Sequence, residues 1–335
     1  TLSLMTAGAT NFENLLGSSY QETLQGDAND NWIAGDGGVD ALYGFAGNDR
    51  LAAGGYSIFN YENDTPADPI QYAVNDSNGQ GSDNDALYGG AGNDSLYGST
   101  GDNVLDGGTG TDTIFSGTGS DTIVIRSGDG STVLADADVL KDFSDGNDVI
   151  GMAGLNFGGL AIEQGADSYA SHTLVRLLSS NEYLLVLQNT TASNVTPVDF
   201  SSTSTSNQSF TGDSENNTFI GGAGNDTFSG SGGSDELYGH GGDDTITVSG
   251  KSGSYTDTVD GGAGTDTLTI SYTGVTSLAD VTISTDGDYT VLTDSSGGAV
   301  KFKSIEILVV GSHTYTENTT DDTYWSASAY ALHMY

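Results

Sequence analysis

The sequence of 335 residues contains no cysteine, only 3 prolines and only 7 basic residues. Without cysteine the chain has no disulfides, no thiol nucleophile and no cysteine-bound zinc site. It also has no apolar run long enough for a transmembrane helix, which needs about 18 residues or more. We therefore expect no insertion into a membrane.

Basic residues are outnumbered by 46 acidic ones, which gives a formal net charge of −39. Nucleic acids and anionic membrane surfaces are repelled by such a chain, so neither is an expected partner. The sequence also has 50 glycines and only 35% hydrophobic residues. High net charge with modest hydrophobicity is typical of disordered chains, so the order of the residues must decide whether this chain folds.

The glycines follow a nine-residue period. They begin consecutive units at Gly8, Gly17, Gly26, Gly35 and Gly44, and the same frame returns from Gln80 to Ser116. A third run of nine-residue units extends from Gly212 to Gly239. A further unit begins at Gly261 after a slip of four residues. Within each unit the sixth position is acidic or an amide and the eighth is apolar. Three columns held in phase over so many units exclude a disordered chain.

Individual units resemble a known calcium-binding repeat. Residues 89–97 (GGAGNDSLY) and 221–229 (GGAGNDTFS) match the pattern G-G-x-G-x-D-x-U-x of the RTX proteins, also called the hemolysin-type calcium-binding repeat. The resemblance extends over residues 8–55, 80–125 and 203–269. It implies a parallel β-roll that binds several Ca²⁺ ions, in a protein exported through a type I secretion channel to the extracellular space or the cell surface.

The spacing has a physical reason. Glycines at positions one, two and four permit a tight turn, and the last three residues form a short strand with one apolar side chain on its inner face. In the β-roll that these units resemble, two units make one coil, so residues 18 apart stack about 4.8 Å from each other. Carboxylates stacked so closely repel by about 3–4 kcal/mol per pair at an effective dielectric constant near 20. A Ca²⁺ ion among carboxylate and carbonyl oxygens removes that repulsion.

The position-six residues are therefore the predicted metal ligands. They are Asp40, Asp49, Asp85, Asp94, Asn103, Asp112, Asp121, Asn217, Asp226, Asp235, Asp244 and Asp266. Glu13, Glu22 and Asn31 occupy the same position in units that lack glycines of the motif. For these three, calcium binding and simple solvation of a turn both remain open.

We predict an all-β fold: parallel β-roll (β-solenoid) segments closed by capping modules of the β-sandwich or meander type. The predicted domains are a first roll at 1–126 with an insertion at 53–79, a capping module at 127–202, a second roll at 203–269 and a C-terminal module at 270–335. The last twelve residues, 324–335, carry no charged side chain if His333 is neutral. They fit either an uncleaved secretion signal or a last strand of the module.

Catalytic motifs are missing from the sequence. The four histidines are scattered, and neither H-E-x-x-H nor G-x-S-x-G occurs. We therefore expect no enzyme but an extracellular structural protein: a surface-layer, filament or adhesive matrix subunit. The alternatives are the secretion and folding tail of a larger exported enzyme, or a carbohydrate-binding adhesin that contacts a cell-surface glycan through Tyr56–Tyr72. Because nothing before Gly8 resembles a cap, we also expect head-to-tail self-association.

Overall fold

The computed structural model describes residues 14–54, 84–249 and 254–316, and the backbone of two short strands near the C-terminus. The chain divides into two units, Thr1–Leu155 with Gly159–Phe200 and Asn156–Gly158 with Ser201–Tyr335. Glu13, most of the insertion predicted at 53–79, and most of the predicted secretion signal lie outside the described residues.

The strands of the first unit are short and lie in two sheets. They are β1 (Asn14–Ser18), β2 (Thr23–Gln25), β3 (Trp32–Asp36), β4 (Ala41–Ala46), β5 (Arg50–Ala52), β6 (Ala86–Ala91), β7 (Ser95–Tyr97), β8 (Val104–Thr109), β9 (Thr113–Phe115), β10 (Thr122–Ile125), β11 (Asp138–Leu140), β12 (Val149–Met152), β13 (Leu160–Gln164), β14 (Thr173–Leu177) and β15 (Glu182–Leu187). One sheet has the order β1-β3-β5-β7-β9-β11-β15-β14-β13, and the other contains β2-β4-β6-β8-β10-β12. Consecutive strands thus alternate between two parallel sheets, as expected for a β-roll.

The core of this roll is one apolar side chain wide. Position-eight residues pair in register across neighbouring strands, for example Leu51 with Leu96 and Leu96 with Ile114. All three side chains are at most 1% exposed. The pairing of Leu42 with Leu87 continues the second sheet across residues 55–83 without a shift of register. The nine-residue frame is therefore kept over that segment.

Three antiparallel strands close the first sheet. β11 pairs in parallel with β15, β15 pairs antiparallel with β14, and β14 pairs antiparallel with β13. The alternating sequence runs His172–Leu178 and Glu182–Gln188 correspond to β14 and β15. These strands cover an edge that the last parallel strand of the roll leaves unpaired.

The second unit repeats this arrangement. Its strands are β17 (Ser209–Thr211), β18 (Thr218–Ile220), β19 (Thr227–Ser229), β20 (Glu236–Tyr238), β21 (Thr245–Ser249), β22 (Thr256–Asp260), β23 (Thr267–Ser271), β24 (Thr282–Asp286), β25 (Tyr289–Thr293), β26 (Ala299–Lys303), β27 (Ile307–Val310), β28 (His313–Thr316), β29 (Ser326–Ala327) and β30 (Tyr330–Ala331), and β16 (Phe200–Ser202) precedes them at the boundary of the units. The sheet orders are β17-β19-β21-β23-β27-β28-β29-β30 and β18-β20-β22-β26-β25-β24.

Aromatic side chains widen the core of the second roll. Phe228 and Phe302 are buried there with Leu268, Val300 and Leu308. β24, β25 and β26 form an antiparallel meander, whereas β27 joins the opposite sheet in parallel with β23. One-turn 3₁₀ helices in the described residues are Leu134–Asp136, Phe157–Gly159, Asp167–Tyr169, Ala192–Asn194, Pro197–Asp199 and Leu278–Asp280.

Candidate metal centre

The position-six side chains form buried columns along each roll. In the first unit one column contains Asp49, Asp94, Asp112 and Asp138, and the other contains Asp40, Asp85, Asn103, Asp121 and Asp148. In the second unit one column contains Asn217, Asp235 and Asp257, and the other contains Asp226, Asp244, Asp266 and Glu306. Eleven of the twelve predicted ligands are at most 6% exposed, and Asn217 is half-buried. We call these sets the position-six columns.

One oxygen of each stacked side chain is used by the backbone of the coil before it. The N–H of Asp49 donates to Oδ1 of Asp94 at 2.6 Å, and the N–H of Asp94 donates to Oδ1 of Asp112 at 2.8 Å. The same contact joins Asp226 to Asp244 at 2.7 Å in the second roll. The columns are thus tied together by hydrogen bonds that require no ion.

The second oxygen separates the predicted ligands into two groups. Oδ2 is buried and receives no hydrogen bond in a set of aspartates that we call the six aspartates: Asp49, Asp94, Asp112, Asp121, Asp244 and Asp266. By contrast, both oxygens of Asp226 accept from backbone N–H groups, those of Gln208 at 2.7 Å and Gly222 at 3.0 Å. A buried carboxylate oxygen without a donor is costly, so the six aspartates are the positions where a cation is needed.

Burial is the main cause of the raised pKa of several position-six carboxyl groups. Burial, together with the neighbouring carboxylate of Asp112, raises the pKa of Asp94 to about 7. Burial also raises the pKa of Asp49, Asp121 and Asp244 to about 7. These carboxylates carry their negative charge at neutral pH only at a cost, which a nearby cation reduces.

Asn103 shows what surrounds the second atom of the side chain. Its Nδ2 donates to the carbonyl oxygen of Gly98 at 2.9 Å and to that of Gly101 at 3.1 Å. Gly98 and Gly101 occupy positions one and four of the same unit. In a unit with aspartate at position six, the amide donor is replaced by a third acceptor. The carboxylate oxygen and the two carbonyl oxygens then converge with no hydrogen between them. Ca²⁺ prefers oxygen ligands of this kind.

Backbone carbonyls are necessary partners in such a site. Across the described residues, no place brings together three or more His, Cys, Asp or Glu side chains that could hold a metal ion. An ion beside one of the six aspartates therefore takes part of its coordination from the glycine carbonyls. This donor set of carboxylate and carbonyl oxygens fits Ca²⁺ and not Zn²⁺ or copper.

Glycine at position four holds the coils close enough for this. Gly92 has φ +136, and a Cβ there would lie 1.7 Å from the carbonyl oxygen of Gly47 in the coil before. Gly110 has φ +139 and stands in the same relation to Gly92. Only glycine combines this conformation with this close approach.

The two open assignments near the N-terminal end now have a structural answer in part. Glu22 is buried, and its Oε2 accepts from the N–H of Ser18 at 3.0 Å. Oδ1 of Asn31 accepts from the N–H of Asp27 at 2.7 Å. Both residues precede the position-six columns, since their N–H groups donate to Oδ1 of Asp40 and of Asp49, and both accept a hydrogen bond from their own unit.

Four column members were missed by the sequence reasoning: Asp138, Asp148, Asp257 and Glu306. They follow their neighbours at intervals of 22 to 40 residues instead of 18, and no glycine frame precedes them. Protein donors serve some of them: Oδ2 of Asp257 accepts from the hydroxyl of Tyr272 at 3.2 Å, and Oδ2 of Asp148 accepts from the N–H of Ser144 at 2.8 Å.

A second ladder, at position five, was also missed. The N–H of Asn48 donates to Oδ1 of Asp30 at 2.8 Å, and the N–H of Asn93 donates to Oδ1 of Asn48 at 2.8 Å. The N–H of Thr111 ends this row on Oδ1 of Asn93 at 3.0 Å. Here the later coil donates, whereas in the position-six columns the earlier coil donates. Adjacent coils are therefore joined in both directions by side chain to backbone hydrogen bonds.

The repeats were compared with known families. Residues 16–55, 81–114, 88–123, 211–246 and 252–269 match the model of the RTX calcium-binding nonapeptide repeat. The matched parts of the two rolls are thus similar to RTX calcium-binding repeats. Their six aspartates with an unsatisfied Oδ2 all lie within these matched residues.

Among solved structures, this chain matches the solution structure of the AlgE6R3 subunit from the Azotobacter vinelandii mannuronan C5-epimerase. The sequences are 20% identical, and the match covers 58% of this chain and 85% of that one with a TM-score of 0.24. A search of curated proteins finds no match. No helix among the described residues is long and apolar enough to span a membrane.

Proposed function

We propose that this RTX chain is an extracellular structural protein whose folding is controlled by calcium. The observation that carries the proposal is the set of six buried Oδ2 atoms without a hydrogen-bond donor, in a chain of net charge −39. Without cations, the buried carboxylates oppose the coil-on-coil packing that forms the core. With cations, the same packing becomes favourable, so calcium binding contributes to the free energy of folding.

The residues that would hold the ions are the six aspartates with the carbonyls of positions one and four in their units. When bound, Ca²⁺ supplies positive charge to an otherwise all-acceptor cluster. Oxygen sites of extracellular modules bind calcium with dissociation constants of about 10⁻⁴–10⁻³ M. Such a chain stays unfolded where calcium is scarce and folds where it is plentiful, which supports the assignment to the extracellular space or cell surface.

A structural role is supported by what the acidic side chains do. Asp94 and Asp112 belong to the position-six columns, Asp30 to the position-five ladder, and Asp106 and Asp129 to an ion pair with Arg126. Apart from the pair of Arg126 with Asp129, which lies within one turn, these contacts join one coil to another. We infer a subunit of a surface layer, filament or matrix, in which calcium sets both folding and assembly.

The test is circular dichroism of the full chain at about pH 8, above the raised pKa values of the buried aspartates, in excess chelator and in millimolar Ca²⁺, with Mg²⁺ as the matched control ion. We expect β structure with calcium only, because Mg²⁺ is smaller and gives up its water reluctantly. The number of bound ions, measured by calorimetry, should exceed one per roll. A folded β spectrum in chelator, with no calcium remaining by elemental analysis, would contradict the proposal.

A further inference from the structure

A cavity of about 290 Å³ opens in the first roll, and none of the position-six side chains lines it. It lies on the sheet that contains β6, β8 and β10, and its lining includes Tyr88, Asp106, Thr109, Arg126 and Asp129. Its size is close to the lower limit of ligand sites, about 300 Å³. Neither the calcium columns nor the position-five ladder uses these residues.

Tyr88 supplies the apolar wall. Its partners in register are Tyr43 on β4 and Asp106 on β8. The ring of Tyr43 stacks on one face of Tyr88, with 4.9 Å between centroids and 9° between planes. On the next strand the partner of Tyr88 is Asp106, so a carboxylate takes the place of a third aromatic ring. Tyr88 lines the cavity, so its ring offers an apolar surface to a ligand there.

Arg126 fixes the polar wall. Its Nη1 donates to Oδ1 of Asp106 at 3.0 Å, its Nη2 donates to Oδ2 of Asp106, and Nη1 lies 3.3 Å from Oδ2 of Asp129. Asp129 is 5% exposed, so this group is held rigidly at the base of the cavity. Two carboxylates against one guanidinium leave the cavity with a negative formal charge. An anionic ligand is disfavoured, both here and by the net charge of the chain.

Phe45 adds an exposed aromatic side chain beside the cavity. It pairs in register with Gly90, which pairs with Gly108, and both glycines line the cavity. Phe45 has φ +77, a conformation normally left to glycine, and its side chain is 50% exposed. A bulky side chain in a strained conformation, exposed beside Tyr43 at 6.0 Å between centroids, gives the roll no core packing. Phe45 instead extends the apolar surface of the sheet next to Gly90 and Gly108.

We propose that this cavity binds a neutral pyranose unit of a glycan. The C–H face of the sugar ring packs against the part of the Tyr88 ring that lines the cavity, and its hydroxyls bond to Asp106, Asp129 and Arg126. The inference goes beyond the calcium-dependent structural role and assigns the first roll a ligand.

The experiment uses the full chain folded in millimolar calcium, with calorimetry and saturation-transfer NMR. The probes are hexasaccharides of β-1,4-glucan, β-1,3-glucan, xylan and mannan, with hexagalacturonate as the anionic control and tetramethylammonium as the cationic control. Tyr88→Ala should weaken binding of the preferred neutral probe by about tenfold or more, the loss expected from one stacking contact of 1.4 kcal/mol.

Tyr97→Ala is the matched control. Tyr97 is half-buried and stacks on Phe115 with 5.2 Å between centroids, but it lies on the opposite sheet. Tyr97→Ala removes the same kind of ring from the same kind of aromatic stack. It should change the affinity for the neutral probe by less than about twofold, as expected of a substitution at a distant site. If Tyr88→Ala fails to fold, Thr109→Trp provides the test, because Thr109 is exposed and the larger side chain blocks the cavity.

Loss of binding in Tyr88→Ala or Thr109→Trp, with binding kept in Tyr97→Ala, supports the proposal. Absence of binding to every neutral probe overturns it. So does equal loss in Tyr97→Ala, or a Tyr88-dependent site that takes only hexagalacturonate or tetramethylammonium. Calcium-dependent folding is measured separately by circular dichroism, so failure of the sugar site leaves the calcium proposal unaffected.

Discussion

We expect Asp94→Asn to stabilise the folded chain when calcium is absent and to destabilise it when calcium is present. The substitution keeps the oxygen that accepts from the N–H of Asp49 at 2.6 Å. It replaces the unsatisfied Oδ2 by an amide, which can donate to the carbonyls of Gly89 and Gly92 as Asn103 donates to those of Gly98 and Gly101. One substitution therefore removes a calcium ligand and supplies an internal donor in its place.

The magnitude follows from these contacts. In chelator the variant gains two hydrogen bonds at about 1 kcal/mol each, so its folded state should be more stable than the wild type by about 2 kcal/mol. In calcium at 100 times the dissociation constant, losing one bound ion costs about 2.7 kcal/mol, and the gain from the amide only partly offsets this. The folded state of the variant should therefore be the less stable one in calcium.

The assay is urea unfolding followed by circular dichroism, in calcium and in chelator with sucrose, an osmolyte that favours the compact state. Asn103→Asp is the matched reverse substitution. It should destabilise the chelated form, because it removes two amide hydrogen bonds and adds a buried charge, and it should add a bound calcium. If Asp94→Asn destabilises both forms equally, the amide is not acting as a substitute donor and the reasoning fails.

Four further outcomes follow from the same geometry. Because burial raises the pKa of Asp94 to about 7 and that of Asp112 to about 6 in the folded form, against an ordinary 3.8, the calcium-free fold binds more protons than the unfolded chain between these values. Its stability should fall as the pH rises, so circular dichroism in chelator should show β structure at pH 5 that is lost by pH 8, about a unit beyond these pKa values; a flat profile would exclude this linkage. Leu96→Ala, at a side chain with no exposure, should cost about 2–5 kcal/mol in calcium-loaded urea unfolding, and a loss under 1 kcal/mol would show a poorly packed core. Gly92→Ala should prevent folding by circular dichroism, whereas Gly146→Ala, at φ +77 with nothing within 4 Å, should only lower stability by the strain, about 1–2 kcal/mol. Head-to-tail association remains a prediction: light scattering across a calcium titration should show growth, and a strictly monomeric chain at millimolar calcium would rule it out.

The regular part of the fold follows from local sequence. A unit such as residues 89–97 contains its own turn, strand, core residue and column residue, and the nine-residue spacing fixes how units stack. Asp94 and Asp112 could therefore be placed one above the other from the sequence alone. The structure adds which atoms they share, namely the hydrogen bond from the N–H of Asp94 to Oδ1 of Asp112.

The rest of the fold and of the site depends on tertiary contacts that the nine-residue period does not predict. Asp138 and Asp257 enter the columns through connections of 26 and 22 residues, so their sequence spacing carries no signal. The hydrogen bond from the hydroxyl of Tyr272 to Asp257 could not be predicted from the sequence either, because Tyr272 lies outside the strand that contains Asp257. The cavity beside Tyr88 brings together two strands, β6 and β8, and the residues after β10. Only the register of the sheet shows that Tyr88, Asp106 and Arg126 meet.

The two hydrogen-bond ladders have a mechanical consequence. Each ladder joins one coil only to the next, and the parallel strands of each roll pair only with those of adjacent coils. A pulling force applied along the chain therefore meets its resistance one coil at a time. Each release of an 18-residue coil lengthens the chain by up to about 60 Å. Under tension the rolls should act as extensible springs with evenly spaced steps, and the local calcium concentration should set the force at which each step occurs.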